Sequence, residues 1–197
     1  MRPMFAQVML VLLLSTAPSQ GQSPFSLEGQ LLVAQPQVKD PNFVHAVVLV
    51  IKHNDRGAFG VVVNRPMRRL PLGVLQQLLG QDPVEGARDV TLHMGGPVDL
   101  DAITILHSSE YRSAATVAIT DDLSVTGSAQ VIDDMAHGRG PRRVMLSMGY
   151  AGWAPGLLET EIASGTWVAI PMDADLVFAE DKDQVWAVAR GRLGIVL

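Results

Sequence analysis

Apolar positions along the chain follow two rhythms. Runs rich in β-branched residues, such as HAVVLVIKH (45–53) and AFGVVVNRP (58–66), read as strands. In the first, consecutive rather than alternate apolar residues predict burial on both faces. LEGQLLVAQ (27–35), VTLHMGGPV (90–98), AITILHS (102–108), ATVAIT (115–120), RRVMLSMGYAGW (142–153) and TWVAIPM (166–172) continue the series. Helical stripes are shorter. PLGVLQQLLG has Pro71 in its first turn, an apolar stripe at Leu72, Leu75, Leu78 and Leu79, and Gly80 as its stop. A second helix over 128–137 turns Ile132, Met135 and Ala136 inward, a third runs from Pro155 to a Gly165 cap, and a last one, capped by Asp181, carries Val185, Trp186 and Ala189.

Asn54, Asp55, Arg56 and Gly57 join two of the strand runs, so HNDRGAFGVVVNRP (53–66) reads as a β-hairpin in which His53 and Asn54 merely close a strand. Gly60 marks a bulge or a close backbone approach, and Asn64-Arg65-Pro66 ends the strand. No repeat or low-complexity tract interrupts the series, which predicts one domain over 27–197.

The first residues do not fit this pattern. MRPMFAQVMLVLLLSTAPSQGQ orders an early charge at Arg2, an apolar run and a small-residue tail, as a secretory signal peptide does, so 1–21 is expected to be removed and the mature protein to lie in the periplasm. The run is too short for a comfortable membrane span, so no stable span is expected after cleavage. A wrongly chosen start codon is the alternative, and it implies a cytoplasmic protein.

Composition narrows the chemistry. The chain has 197 residues, a net charge of −5 and no cysteine, which excludes thiol nucleophiles and cysteine-held metals and disfavours direct contact with nucleic acid. No G-x-S-x-G elbow, phosphate loop or dinucleotide fingerprint occurs, and His45, His53, His93, His107 and His137 stand singly without metal-ligand spacing. No cofactor or metal is expected. His53, His93 and His107 each read as a strand-end histidine satisfied by backbone or solvent. DADLVFAEDKD (173–183) reads as a solvated acidic linker, Glu159 and Glu161 as helix-surface charges, and the arginines of HGRGPRR (137–143) as cations at a helix C-terminus. MGGPV and MGYAGWAPG remain, glycine-rich turns that suit either close packing or a ligand.

LLVAQPQVKDPNFVHAVVLVIKHNDRGAFGVVVNRP, then HMGGPV with ILHS, then MGYAGWAPGLLETEI and TWVAIP resemble the YqgE/AlgH family of bacterial proteins in motif, order and spacing, from Leu27 nearly to the end. VDLDAITILHS lacks the Arg-Gly-Phe-like run that members often carry before Leu-His, and Leu157 replaces a common glutamine. The resemblance implies an α+β fold whose branched, mostly antiparallel sheet curls into a pseudo-barrel flanked by helices. It implies no catalytic mechanism. Members are largely uncharacterised, and some carry the label of transcriptional regulator.

Two functions follow as expectations. One is a non-enzymatic binding or regulatory protein with an unknown protein or small-molecule partner. Its candidate surface comprises Asp40, Asn42, Phe43, His53, Asn64, Gly95, Gly96, His107, Tyr150, Gly152 and Trp153. The other is an enzyme that uses His53, Asn64 and His107 with Asp40 as orienting carboxylate, which requires these side chains to converge.

Overall fold

A computed structural model describes residues 26–193, and the leader expected over 1–21 lies outside them. The architecture is α+β, with a branched, mostly antiparallel sheet curled into a half-barrel and five helices packed on it. The strands β1 (Leu31–Ala34), β2 (Val47–Asn54) and β3 (Gly57–Val62) form an antiparallel wall. Their side chains alternate between two cores: Leu31, Val33, Val47, Leu49 and Val61 face one, Leu32, Ala34, Val48, Val50 and Val62 the other. Burial on both faces is what the unbroken apolar runs demanded. Asn54 pairs with Gly57 across a two-residue turn, and the bulge falls opposite Gly60, between Val50 and Lys52 of β2.

Pro66 starts a strand rather than ending one. β4 (Pro66–Pro71) pairs only with β5 (Asp89–Met94), so both prolines sit on an edge strand, where a missing N–H costs no ladder bond. The helix α1 (Leu72–Leu78) follows as expected. β6 (Val98–Ser108) is one long strand with an irregularity between Val98 and Ile103, where the sequence implied two elements. β7 (Thr116–Ala118) pairs with β8 (Leu123–Thr126), a short, wholly buried strand that the sequence pattern missed. Then come α2 (Gln130–Ala136), β9 (Val144–Trp153), α3 (Leu157–Ala163), β10 (Trp167–Ile170), α4 (Ala174–Val177) and α5 (Val185–Leu193). α4 corrects the linker expected over 173–183: Asp173 caps it by accepting from the N–H groups of Asp175 and Leu176, while Leu176 and Val177 enter the core.

β9 is where the sheet forks. Antiparallel β6 lines one edge; on the other, β5 runs parallel beside Leu146–Met148, and β3 then takes over beside Ala151–Trp153. Three backbones therefore meet at Gly95, Gly96 and Gly149. The Gly95 N–H donates to the Met148 carbonyl, and the Gly95 carbonyl accepts from Val62. A Cβ on Gly96 would lie 2.2 Å from the Tyr150 carbonyl, and one on Gly149 would lie 2.4 Å from the Gly96 oxygen. The glycine-rich motifs are thus what lets the sheet branch.

Candidate functional site

The expected site residues fall into separate structural clusters. Asp40 closes its own turn: Oδ1 accepts from the Asn42 backbone and side-chain amides, and its carbonyl accepts from Phe43 and Val44. Phe43 meets Trp167 edge-on at 5.6 Å. Asn64 mimics a strand, since its Oδ1 accepts from the Val47 N–H and its Nδ2 donates to the His45 carbonyl. Tyr150 lies against Phe59 at 4.7 Å, and Gly152 is exposed. His107 is fully buried; its Nδ1–H donates to the Ser108 carbonyl, Nε2 has no partner, and burial lowers its pKa.

His53 does more than close a strand. It is 6% exposed, its Nδ1 accepts from the Leu27 N–H at 3.0 Å, and its Nε2 meets Glu159 Oε1 at 3.0 Å. The first bond fixes the tautomer, with the proton on Nε2. The ring thereby joins the N-terminal segment, β2 and α3. Glu161 is also no idle surface charge: a single oxygen, Oε2, accepts the indole N–H groups of both Trp153 and Trp167, each at 2.8 Å. His53→Ala is accordingly expected to destabilise the fold by about 2 kcal/mol, because the Leu27 donor loses its buried partner. Urea denaturation measures it, and an unshifted midpoint would mean the ring carries no structural load.

The catalytic grouping does not assemble. Asn64 clamps Val47 at one end of β2 and His53 stands near the other, about 20 Å away at strand rise. His107 pairs with Ser124 and Val144 on other strands, and Asp40 is engaged by Asn42. Among the described residues, no group of three histidine or carboxylate side chains could hold a metal, and no helix is long and apolar enough to cross a membrane.

Two clefts open on another part of the surface. The first, about 610 Å³, lies between β5, the start of β9 and the connection from α4 to α5. His93, Met145, Phe178 and Lys182 line it, and Arg88, Arg142 and Arg143 add positive charge. His93 is 5% exposed and its Nδ1–H donates to the Leu146 carbonyl at 3.2 Å. Burial, helped by the charge of Lys182, brings its pKa down to about 4, so the ring is neutral at pH 7. Arg143 stacks over Phe178 at 4.7 Å and donates to Asp175 and to the Ala174 carbonyl, forming a wall shared with the second cleft of about 780 Å³.

Comparison with known proteins settles the family. The AlgH-like family model matches residues 31–197. The chain belongs to the AlgH-like family. A UPF0301 protein of Methylococcus capsulatus is 41% identical over 169 residues, covering 86% of this chain and 92% of that relative. Another, from Pseudomonas entomophila, is 39% identical over 176 residues, with 89% and 93% covered. Among solved structures, the AlgH protein from Pseudomonas aeruginosa matches with a TM-score of 0.72 at 34% identity, covering 89% and 93% of the two chains. A Corynebacterium diphtheriae protein matches with a TM-score of 0.67 at 22% identity, covering 83% and 85%, a likeness of fold alone.

In this AlgH-like chain the motifs that carry the resemblance build the fork, the hairpin and the tryptophan pair around Glu161. The first cleft was missed from sequence. Its one local signal is Leu-Val-Phe (176–178), an apolar triplet inside an acidic stretch that demands burial and draws Lys182 inward with it.

Proposed function

We propose that the chain is a non-enzymatic binding or regulatory protein, and that its ligand seat is the cleft between β5, the start of β9 and the α4–α5 connection. The observation that carries this is the pairing of a metabolite-sized cavity of about 610 Å³ with a buried lysine on its wall. The reactive groups singled out from sequence are separated and mostly engaged by backbone or by one another, which leaves them a framework role. Direct contact with nucleic acid is not part of the proposal, since the net charge is −5. The proposal extends to location: the leader's three-region order supports a periplasmic protein, and a cytoplasmic one is the alternative if the start codon lies downstream.

Titrating isotope-labelled protein with a mixed fragment library and following backbone amide shifts tests the seat. The largest shifts are expected at Thr91, His93, Leu146, Phe178 and Lys182. Shifts confined to Asp40–Phe43 and Tyr150–Trp153 would move the ligand to the turns singled out by residue type and overturn the proposal.

A further inference from the structure

Lys182 is an unusual residue to find on a cavity wall. It is 8% exposed; its Nζ donates to the Val177 carbonyl at 2.7 Å and otherwise reaches only the Met145 sulfur, a weak acceptor, at 3.9 Å. Among the described residues no carboxylate forms an ion pair with it. Burial, and after it the like charge of Arg143, brings its pKa down to about 8, so the ammonium still predominates at pH 7. A buried cation without a counter-ion is costly to hold. Here it borders an open cavity where a carboxylate would ordinarily sit.

We propose that this cleft takes a small dianion, a phosphate ester or a dicarboxylate, with Lys182 Nζ on its floor and Arg143 at its side. The proposal rests on the cleft being the ligand seat and adds the chemistry of the ligand. Lys182 without a counter-ion, Arg143, which lines the cleft while its Nη1 pairs with Asp175 at 2.8 Å, and neutral His93 beside them favour a doubly charged guest over a singly charged one. The carboxylates of the same cleft, Asp89, Glu180, Asp181 and Asp183, are all exposed, and Asp89 already pairs with Arg69 at 3.3 Å. Salt screens such exposed charges far more than the buried ammonium. The floor is therefore positive, and the exposed rim, where Arg88 and Arg142 offset two of the four carboxylates, is net negative. A compact dianion passes the rim, whereas a polyanion such as nucleic acid would lie across it and be repelled.

The groups facing Lys182 also set the pH dependence. Arg143 and the exposed carboxylates Asp89, Glu180, Asp181 and Asp183 face the same cleft, burial brings His93 down to about 4, and it brings Lys182 down to about 8, the value that falls just above neutrality. Affinity is expected to decline above about pH 8 as the ammonium is lost.

Calorimetric titration of the full chain at pH 7 with inorganic phosphate, glycerol 3-phosphate, malonate and neutral glycerol tests the assignment. At least one dianion is expected to bind at about 10 mM or below and glycerol is not, with the phosphate and malonate arms showing which form is preferred. Lys182→Met is expected to weaken binding about tenfold or more, and Lys182→Arg, which keeps the charge, to restore most of it. Unchanged dianion affinity in a folded Lys182→Met protein would overturn the proposal, and so would the absence of any dianion binding. If neutral fragments still shift the cleft amides when no dianion binds, the ligand seat stands and only its anionic chemistry falls.

Discussion

Trp153→Ala is expected to cost the fold about 4 kcal/mol, in the range for deleting a buried aromatic ring. The indole is 7% exposed and meets Trp167 edge-to-face at 6.2 Å between α3 and the sheet. Its N–H supplies one of the two indole donors to Glu161 Oε2, so truncation opens a cavity and leaves that half-buried carboxylate short of a partner. Trp153→Phe keeps most of the packing and loses the donor, and a smaller loss is expected. Chemical denaturation separates structure from recognition. An unshifted midpoint for Trp153→Ala, together with lost ligand binding, would make GYAGWAPG the functional surface.

Gly57→Val is expected to be nearly as damaging, at about 3 kcal/mol or more, because two costs coincide. Gly57 closes the hairpin at φ +120°, a conformation that a β-branched residue resists, and a Cβ there would lie 2.2 Å from the Trp153 carbonyl oxygen on the neighbouring strand. Relieving the overlap means parting β3 from β9, which releases the edge that Ala58–Gly60 forms with Ala151–Trp153. The thermal midpoint and the amide exchange of the β3–β9 ladder read out both effects. A folded Gly57→Val protein with unchanged exchange in that ladder would show that the hairpin can retreat without consequence.

Much of the fold was readable because its strong signals are local. Apolar runs on β2 and β3 predict two-sided burial, and Pro71 and Gly80 bracket α1. The errors share one cause, which is tertiary partnership. Pro66 begins a strand only because β5 supplies an inner edge, and Leu123–Thr126 is four residues long, too short to show a period, yet it is buried by β6 and β7. Asp173–Asp183 looks solvated because its charges are counted along the chain, although Leu176, Val177 and Lys182 turn inward.

The candidate site was less readable for the same reason. His53, Asn64 and Trp153 attract notice in the sequence through residue type, and in the structure each completes a hydrogen bond that the architecture needs. Glu161 had no signal of its own, since Trp153 and Trp167, on either side of it in the chain, become its donors only once β9 and β10 flank α3. Lys182 and His93 lie far apart along the chain, and only the fork at β9 together with α4 sets them on one cavity.

The most direct measurement is a crystal structure of the protein soaked with glycerol 3-phosphate. Density for the phosphoryl group within hydrogen-bond reach of Lys182 Nζ, with the Trp153–Glu161–Trp167 arrangement unchanged, is the expected result. An empty cleft with the ligand seated against Tyr150–Trp153 would contradict it.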